Sequence, residues 1–208
     1  MYISELSQLP NIARFLEKID ETKYEKAIGE LARAFAGRVM GEGTTRVVYN
    51  FSDDRVIKVP KVDDGFDHFT HTIMVNVLEY MMYERLMDKV PLAPCQLVFY
   101  KCVPLIIMDK VKCMDEGDEL EYDWVDKHPE SILNNLNDGF QIGRLPSGKV
   151  VCYDYGYEGD IFCETTQEID LTDEELTKLG KFSPKITGMK ELNPKLRNAL
   201  IKSLLKTK

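Results

Sequence analysis

The sequence predicts an α+β fold in which helices pack on an antiparallel sheet, and three observations carry that reading. Between Arg38 and Lys61 the apolar runs Val47-Val48-Tyr49 and Val56-Ile57-Lys58-Val59 are preceded by the turn residues Gly41-Glu42-Gly43 and separated by Ser52-Asp53-Asp54, the pattern of consecutive hairpins. Residues 69–88 then form a long helical pattern, apolar over much of its circumference, that stops before Pro91; such a helix is buried on several sides. Two more strand candidates follow at 96–101 and 103–111, the second holding Leu105-Ile106-Ile107-Met108.

Composition sets the bounds. The chain has 208 residues, 44% of them hydrophobic and 30% charged, enough to bury a substantial core. No apolar run approaches the ~18 residues a membrane span needs, and Met1 to Leu6 lack the basic start and apolar core of a signal peptide. The five cysteines, at 95, 102, 113, 152 and 163, have no Cys-x-x-Cys spacing; reduced thiols in a cytoplasmic protein are expected. A net charge of −8 disfavours direct binding to nucleic acid. Acidic residues cluster at 115–126 and 158–175, which reads as solvated surface or as a docking face for a basic partner.

The remaining elements follow in order. A first short helix begins at Pro10-Asn11, and Thr22-x-x-Glu25 has the form of a capping box opening a second. Ile28, Leu31 and Phe35 form the buried stripe of that helix and Gly37 stops it. In the strand around Lys58, Ile57 and Val59 share one face while Lys58 points to the other. Within the long helix Glu79 lies on a face with Val75, Met82 and Leu86, an acid that needs a cationic partner; Glu84 is a second candidate. Residues 122–135 read as one helix or as two short pieces divided near Pro129. Gln141 to Arg144, the turn Pro146-Ser147-Gly148 and Lys149 to Asp154 form a hairpin. Thr172-x-x-Glu175 caps a short helix ending at Gly180, and Asn193-Pro194 opens the last one, which turns Leu196, Leu200 and Leu204 inward.

The order of a Gly-x-Gly hairpin, a lysine strand, a helix with a glutamate and two further strands resembles the small lobe of a protein kinase. Gly41-Glu42-Gly43-Thr44-Thr45-Arg46-Val47-Val48 follows that family's Gly-x-Gly-x-x-Gly-x-Val loop with Arg46 in place of the third glycine. Val56-Ile57-Lys58 is similar to its Val-Ala-Ile-Lys signature, and Asp154-Tyr155-Gly156 to its Asp-Phe-Gly. The resemblance covers residues 38 to 156 and looks closest to compact, divergent kinase-like proteins of bacteriophages. It implies a helical extension at 1–37, a small lobe at 38–111 and a reduced large lobe at 112–208.

By the same resemblance Lys58 would contact nucleotide phosphates, Glu79 would hold Lys58, and the amides of residues 41–45, including Gly41 and Gly43, would cover the phosphates. Met108-Asp109-Lys110-Val111 would be the hinge, with Met108 and Lys110 beside adenine. Asp154 would carry Mg2+ and ATP would be the nucleotide. The catalytic-loop signature His-Arg-Asp-x-x-x-x-Asn has no match. Aligning Gln141-Ile142-Gly143 with the family's Asn-Ile-Gly places Leu136, which accepts no proton, at the catalytic aspartate. Asp138 is near enough to substitute as base, with Gln141 for the metal-binding asparagine. There is no Ala-Pro-Glu after Asp154, and little chain remains for a peptide-binding subdomain. The expectation is a kinase-like regulatory protein, a pseudokinase, that binds a protein partner and retains a nucleotide-pocket layout. The alternatives are an active atypical ATP-dependent kinase, and an acidic inhibitor of a nucleic-acid-binding enzyme.

Overall fold

Alternation along the strands, apolar on both faces of one sheet, dictates that something must cover each face. The structure, a computed structural model, describes residues 20–43, 45–62, 68–114, 123, 124, 126–128 and 141–155. Its first sheet has five antiparallel strands in the order β1-β2-β3-β5-β4, formed by β1 (Val39–Glu42), β2 (Arg46–Ser52), β3 (Arg55–Pro60), β4 (Cys95–Tyr100) and β5 (Val103–Asp109). Helix α1 (Glu21–Ala34) precedes β1, and α2 (His68–Leu86) joins β3 to β4. A second antiparallel sheet, in the order β6-β7-β8, comprises β6 (Lys112–Cys113), β7 (Gln141–Arg144) and β8 (Val150–Asp154). The α+β class with antiparallel sheets is therefore as the sequence predicts.

The two faces of the five-stranded sheet have different covers. Tyr24, Ala27, Ile28, Leu31 and Phe35 of the α1 segment pack with Tyr49, Phe51, Ile57, Val59, Leu105 and Ile107. Phe35 packs in tilted contacts at ring-centroid distances of 5.6 Å from Tyr49 and 6.1 Å from Phe51. On the other face Val56, Ile106 and Met108 meet Met82 and Leu86 of α2 and Ile142, Val151 and Cys152 of the small sheet. Residues of opposite parity thus feed separate cores, as a two-residue period requires. Lys58 belongs to the second face, so α1 packs behind it.

Two boundaries differ from the sequence reading. Helix α1 is capped by Asp20, whose carboxylate accepts from the amide of Lys23 at 3.1 Å; Thr22 and Glu25 are exposed. A short aspartate side chain just ahead of the first turn satisfies an amide that the helix leaves open, and this displaces the expected Thr22 cap. Strand β5 ends at Asp109 and not at residue 111, because the chain turns away there. Asp109 donates its amide to the Pro94 carbonyl and Lys110 to that of Asp54, after which Lys112 and Cys113 pair with β7. The expected helices at 10–19, 172–180 and 193 onward, the acidic stretch 158–175, Gly156, Leu136 and Asp138 lie outside the described residues.

The small sheet is fastened where it matters for Asp154. Cys152 donates its amide to Pro91 O and accepts from the amide of Ala93, so the link after α2 lies along β8. Gly143 makes the close approach of β7 to β6: a Cβ there would stand 2.9 Å from the Lys112 carbonyl oxygen. Gly148, at φ 87°, turns the hairpin between β7 and β8. Cys95, Cys102, Cys113 and Cys152 are free thiols. No described helix is long and apolar enough to cross a membrane.

Candidate functional site

Lys58 occupies the middle of β3, directly opposite Val48 on one side and Ile106 on the other. Neighbouring strands on both flanks fix its backbone, and the pleat aims its side chain at the face that α2 covers. There its ammonium donates to Glu79 Oε1 at 2.6 Å. Glu79 is fully buried and the Lys58 side chain is 5% exposed, whereas Glu84 is exposed. Between the two acids in α2, Glu79 is the one set against Lys58. Lys58 Nζ also lies 3.2 Å from the Tyr153 carbonyl oxygen and 3.4 Å from Asp154 Oδ1.

Arg46 joins the same cluster. At the first position of β2 it pairs with Pro60, two positions from the Val48–Lys58 pair, so the pleat brings Arg46 and Lys58 to one face. One guanidinium nitrogen donates to Glu79 Oε2 and another to Asp154 Oδ1 at 3.1 Å. Its side chain is only 5% exposed. Among the described residues two cations and two carboxylates therefore form a charge-balanced quartet, the condition for holding such groups out of water.

Two further side chains position the quartet. Asn76, one turn before Glu79 and fully buried, donates through Nδ2 to the carbonyls of Lys58 at 3.2 Å and Pro104 at 2.9 Å. It ties α2 to β3 and β5 beside the lysine. Tyr155, next to Asp154, is fully buried, donates its hydroxyl to Ala93 O at 2.7 Å and stacks on Tyr83 of α2 at 6.0 Å. Burial raises its phenol pKa. The middle residue of Asp-Tyr-Gly is thus an anchor.

The other predicted site residues are placed separately. Gly41 lies in β1 opposite Val48, and the Gly43 amide donates to Arg46 O at 2.9 Å; a Cβ at Gly41 would meet nothing within 4 Å. Met108 is buried within β5 with Val56 on one side and Cys95 on the other, so its backbone lies inside the sheet. The Lys110 amide is taken by Asp54, and its ammonium bonds Asn50 Oδ1 at 3.1 Å. Gln141 stands opposite Asp154 in the β7–β8 ladder with its side chain exposed.

For a divalent cation the donors near Asp154 do not make a fit. Oδ1 of Asp154 already meets Arg46 and Lys58, and a cation entering there would face two positive charges. Among the described residues no cluster of three or more His, Cys, Asp or Glu side chains offers an alternative.

Comparison with models of known protein families finds no match, and a search of curated proteins finds no significant relative. The chemistry of the quartet itself then carries the functional reading.

Arg46 and Asn76 were not legible as site residues from motif matching. Each nevertheless carries a signal: Arg46 shares strand parity with the position opposite Lys58, and Asn76 is a polar residue three before Glu79 within the apolar run from Ile73 to Leu78.

Proposed function

We propose that this chain is a kinase-like regulatory protein, a pseudokinase, that keeps a nucleotide-pocket layout and acts by binding a protein partner. The observation that carries this reading is the buried Lys58–Glu79 pair facing Asp154 across the junction of α2 and the small sheet. Buried ion pairs add little stability over apolar packing, so a quartet of this kind is better explained by a ligand-directed role. In phosphoryl transfer a lysine held by a glutamate meets the phosphates, and Lys58 and Glu79 are the residues suited to it.

Arg46 is what weighs against turnover. It shares both carboxylates with Lys58, so a phosphate chain would compete with Glu79 and Asp154 for both cations. Partner binding draws support from β1, an edge strand whose four residues are exposed. Val39 and Met40 stand 56% and 49% exposed there, and an open apolar edge favours strand addition by another chain.

Thermal melting with ATP, with and without Mg2+, tests the pocket. ATP at a hundred times its Kd should stabilise by about 2.7 kcal/mol, and Lys58→Met should abolish the shift. No shift at millimolar ATP under either condition would remove the nucleotide reading. Radiolabel transfer is expected to be absent; transfer that both Lys58→Met and Asp154→Asn eliminate would make the chain an active atypical kinase.

A further inference from the structure

A cavity of about 460 Å3 lies where the end of β5 leads into the small sheet, and it shares no residue with the quartet. Among the described residues its walls carry Lys110, Lys112 and Arg144 against one acid, Asp53, an excess of two positive charges in a chain whose net charge is −8. Val111, Leu145 and Pro146 supply an apolar lining. The volume falls within the range of small-molecule sites.

The arrangement of the cations is the second observation. Lys112 and Arg144 are direct cross-strand partners of β6 and β7, and like charges facing one another in a ladder destabilise it. Hydrogen bonds of the cationic heads go to neutral acceptors, Lys110 to Asn50 Oδ1 at 3.1 Å and Arg144 to the Gly148 carbonyl at 2.8 Å. Among the described residues none of the three forms an ion pair. Paired cations elsewhere, such as Lys61 with Glu42 at 2.7 Å, show that this chain has acids to spare. An anion between Lys112 and Arg144 would turn a repulsive pair into two attractive contacts.

We propose that this cavity binds a compact organic phosphomonoester. The phosphoryl oxygens take Lys112 and Arg144, with Lys110 at the side, and the organic body rests on Val111, Leu145 and Pro146. A phosphomonoester carries a charge of about −1.5 to −2 at neutral pH, which matches the wall excess. The arginine fork suits its oxygens.

Calorimetric titration of the full chain with phenyl phosphate, inorganic phosphate, phenol and a hexaglutamate peptide tests the proposal. Phenyl phosphate should bind more tightly than inorganic phosphate, phenol should not bind, and affinity should fall as salt rises. Lys112→Glu and Arg144→Glu, both at exposed positions, should each weaken phenyl phosphate at least tenfold. In the free protein either change should raise the melting temperature, since the opposed cations become an ion pair; a merely structural role would move stability and binding in the same direction. Lys58→Met should leave phenyl phosphate binding intact, which separates this site from the nucleotide reading. Binding that survives the Lys112→Glu/Arg144→Glu double change, that is lost in a Lys58→Met protein still folded by circular dichroism at the titration temperature, or that favours hexaglutamate over phenyl phosphate would overturn the assignment.

Discussion

The guanidinium of Arg46 stands 3.1 Å from Oδ1 of Asp154, 108 residues further along the chain. Through that contact and its bond to Glu79, Arg46 links the five-stranded sheet, α2 and the small sheet. Arg46→Met would take the guanidinium from both Glu79 and Asp154, and should cost roughly 3–5 kcal/mol in urea denaturation. Arg46→Lys keeps the charge but not the fork, so it should recover only part of the loss. A methionine variant as stable as the parent would sink the quartet.

Asn76 makes a separable contribution. Asn76→Leu preserves the bulk of the side chain but leaves the carbonyls of Lys58 and Pro104 without their donor. A loss of about 1–3 kcal/mol is expected from removing the donor to these carbonyls, read from the denaturation midpoint. An unchanged midpoint would mean that α2 is held by its apolar contacts alone.

Acid should loosen α1. The Glu30 carboxylate accepts from Lys101 Nζ at 2.5 Å and the Tyr100 hydroxyl at 2.7 Å, and these bonds hold its pKa below the ordinary 4.5. A depressed carboxylate pKa means stability that is present above the unfolded value and lost as pH falls through the folded one. Because half of the Lys101 side chain is exposed, roughly 0.2–1 kcal/mol is expected after solvent screening. The stability gap between parent and Glu30→Gln should therefore exist at neutral pH and close well below pH 4.5; a gap independent of pH would contradict the pairing.

Gly143 tests the small sheet. A methyl group there would stand 2.9 Å from Lys112 O and 3.2 Å from both Val111 and Tyr153. The nearest atom is backbone, so it yields only if β6 moves. Gly143→Ala should destabilise by roughly 1–3 kcal/mol and expose to hydrogen exchange the amide of Met114, which donates to Ile142 O at 3.3 Å. Unchanged exchange would show that β6 adapts without cost.

Local pattern accounted for much of the main sheet. Turn signals gave its first two hairpins, though Gly41 and Glu42 lie within β1 and the chain reverses after them; alternation around Lys58 gave the face on which the lysine lies. An acid on an apolar helix pointed to Glu79. What pattern missed was local in a different way: Asp20 outcompeted Thr22 as cap because its carboxylate reaches the Lys23 amide. The end of β5 falls short of Val111 because Asp109 and Lys110 make the last bonds to the segments before β4 and β3, and pairing passes to β7 from Lys112.

The sequence by itself determined the α+β class, the two-faced sheet and the candidate pair Lys58 and Glu79, since period and burial are properties of neighbouring residues. Only the tertiary structure decided that Arg46 joins that pair and reaches Asp154, and that Lys112 and Arg144 stand opposed. Those relationships depend on strand register and on where the small sheet docks, set by contacts such as Cys152 with Pro91 and Ala93. Residues so distant in the chain meet through the summed packing of many side chains, which no local pattern encodes.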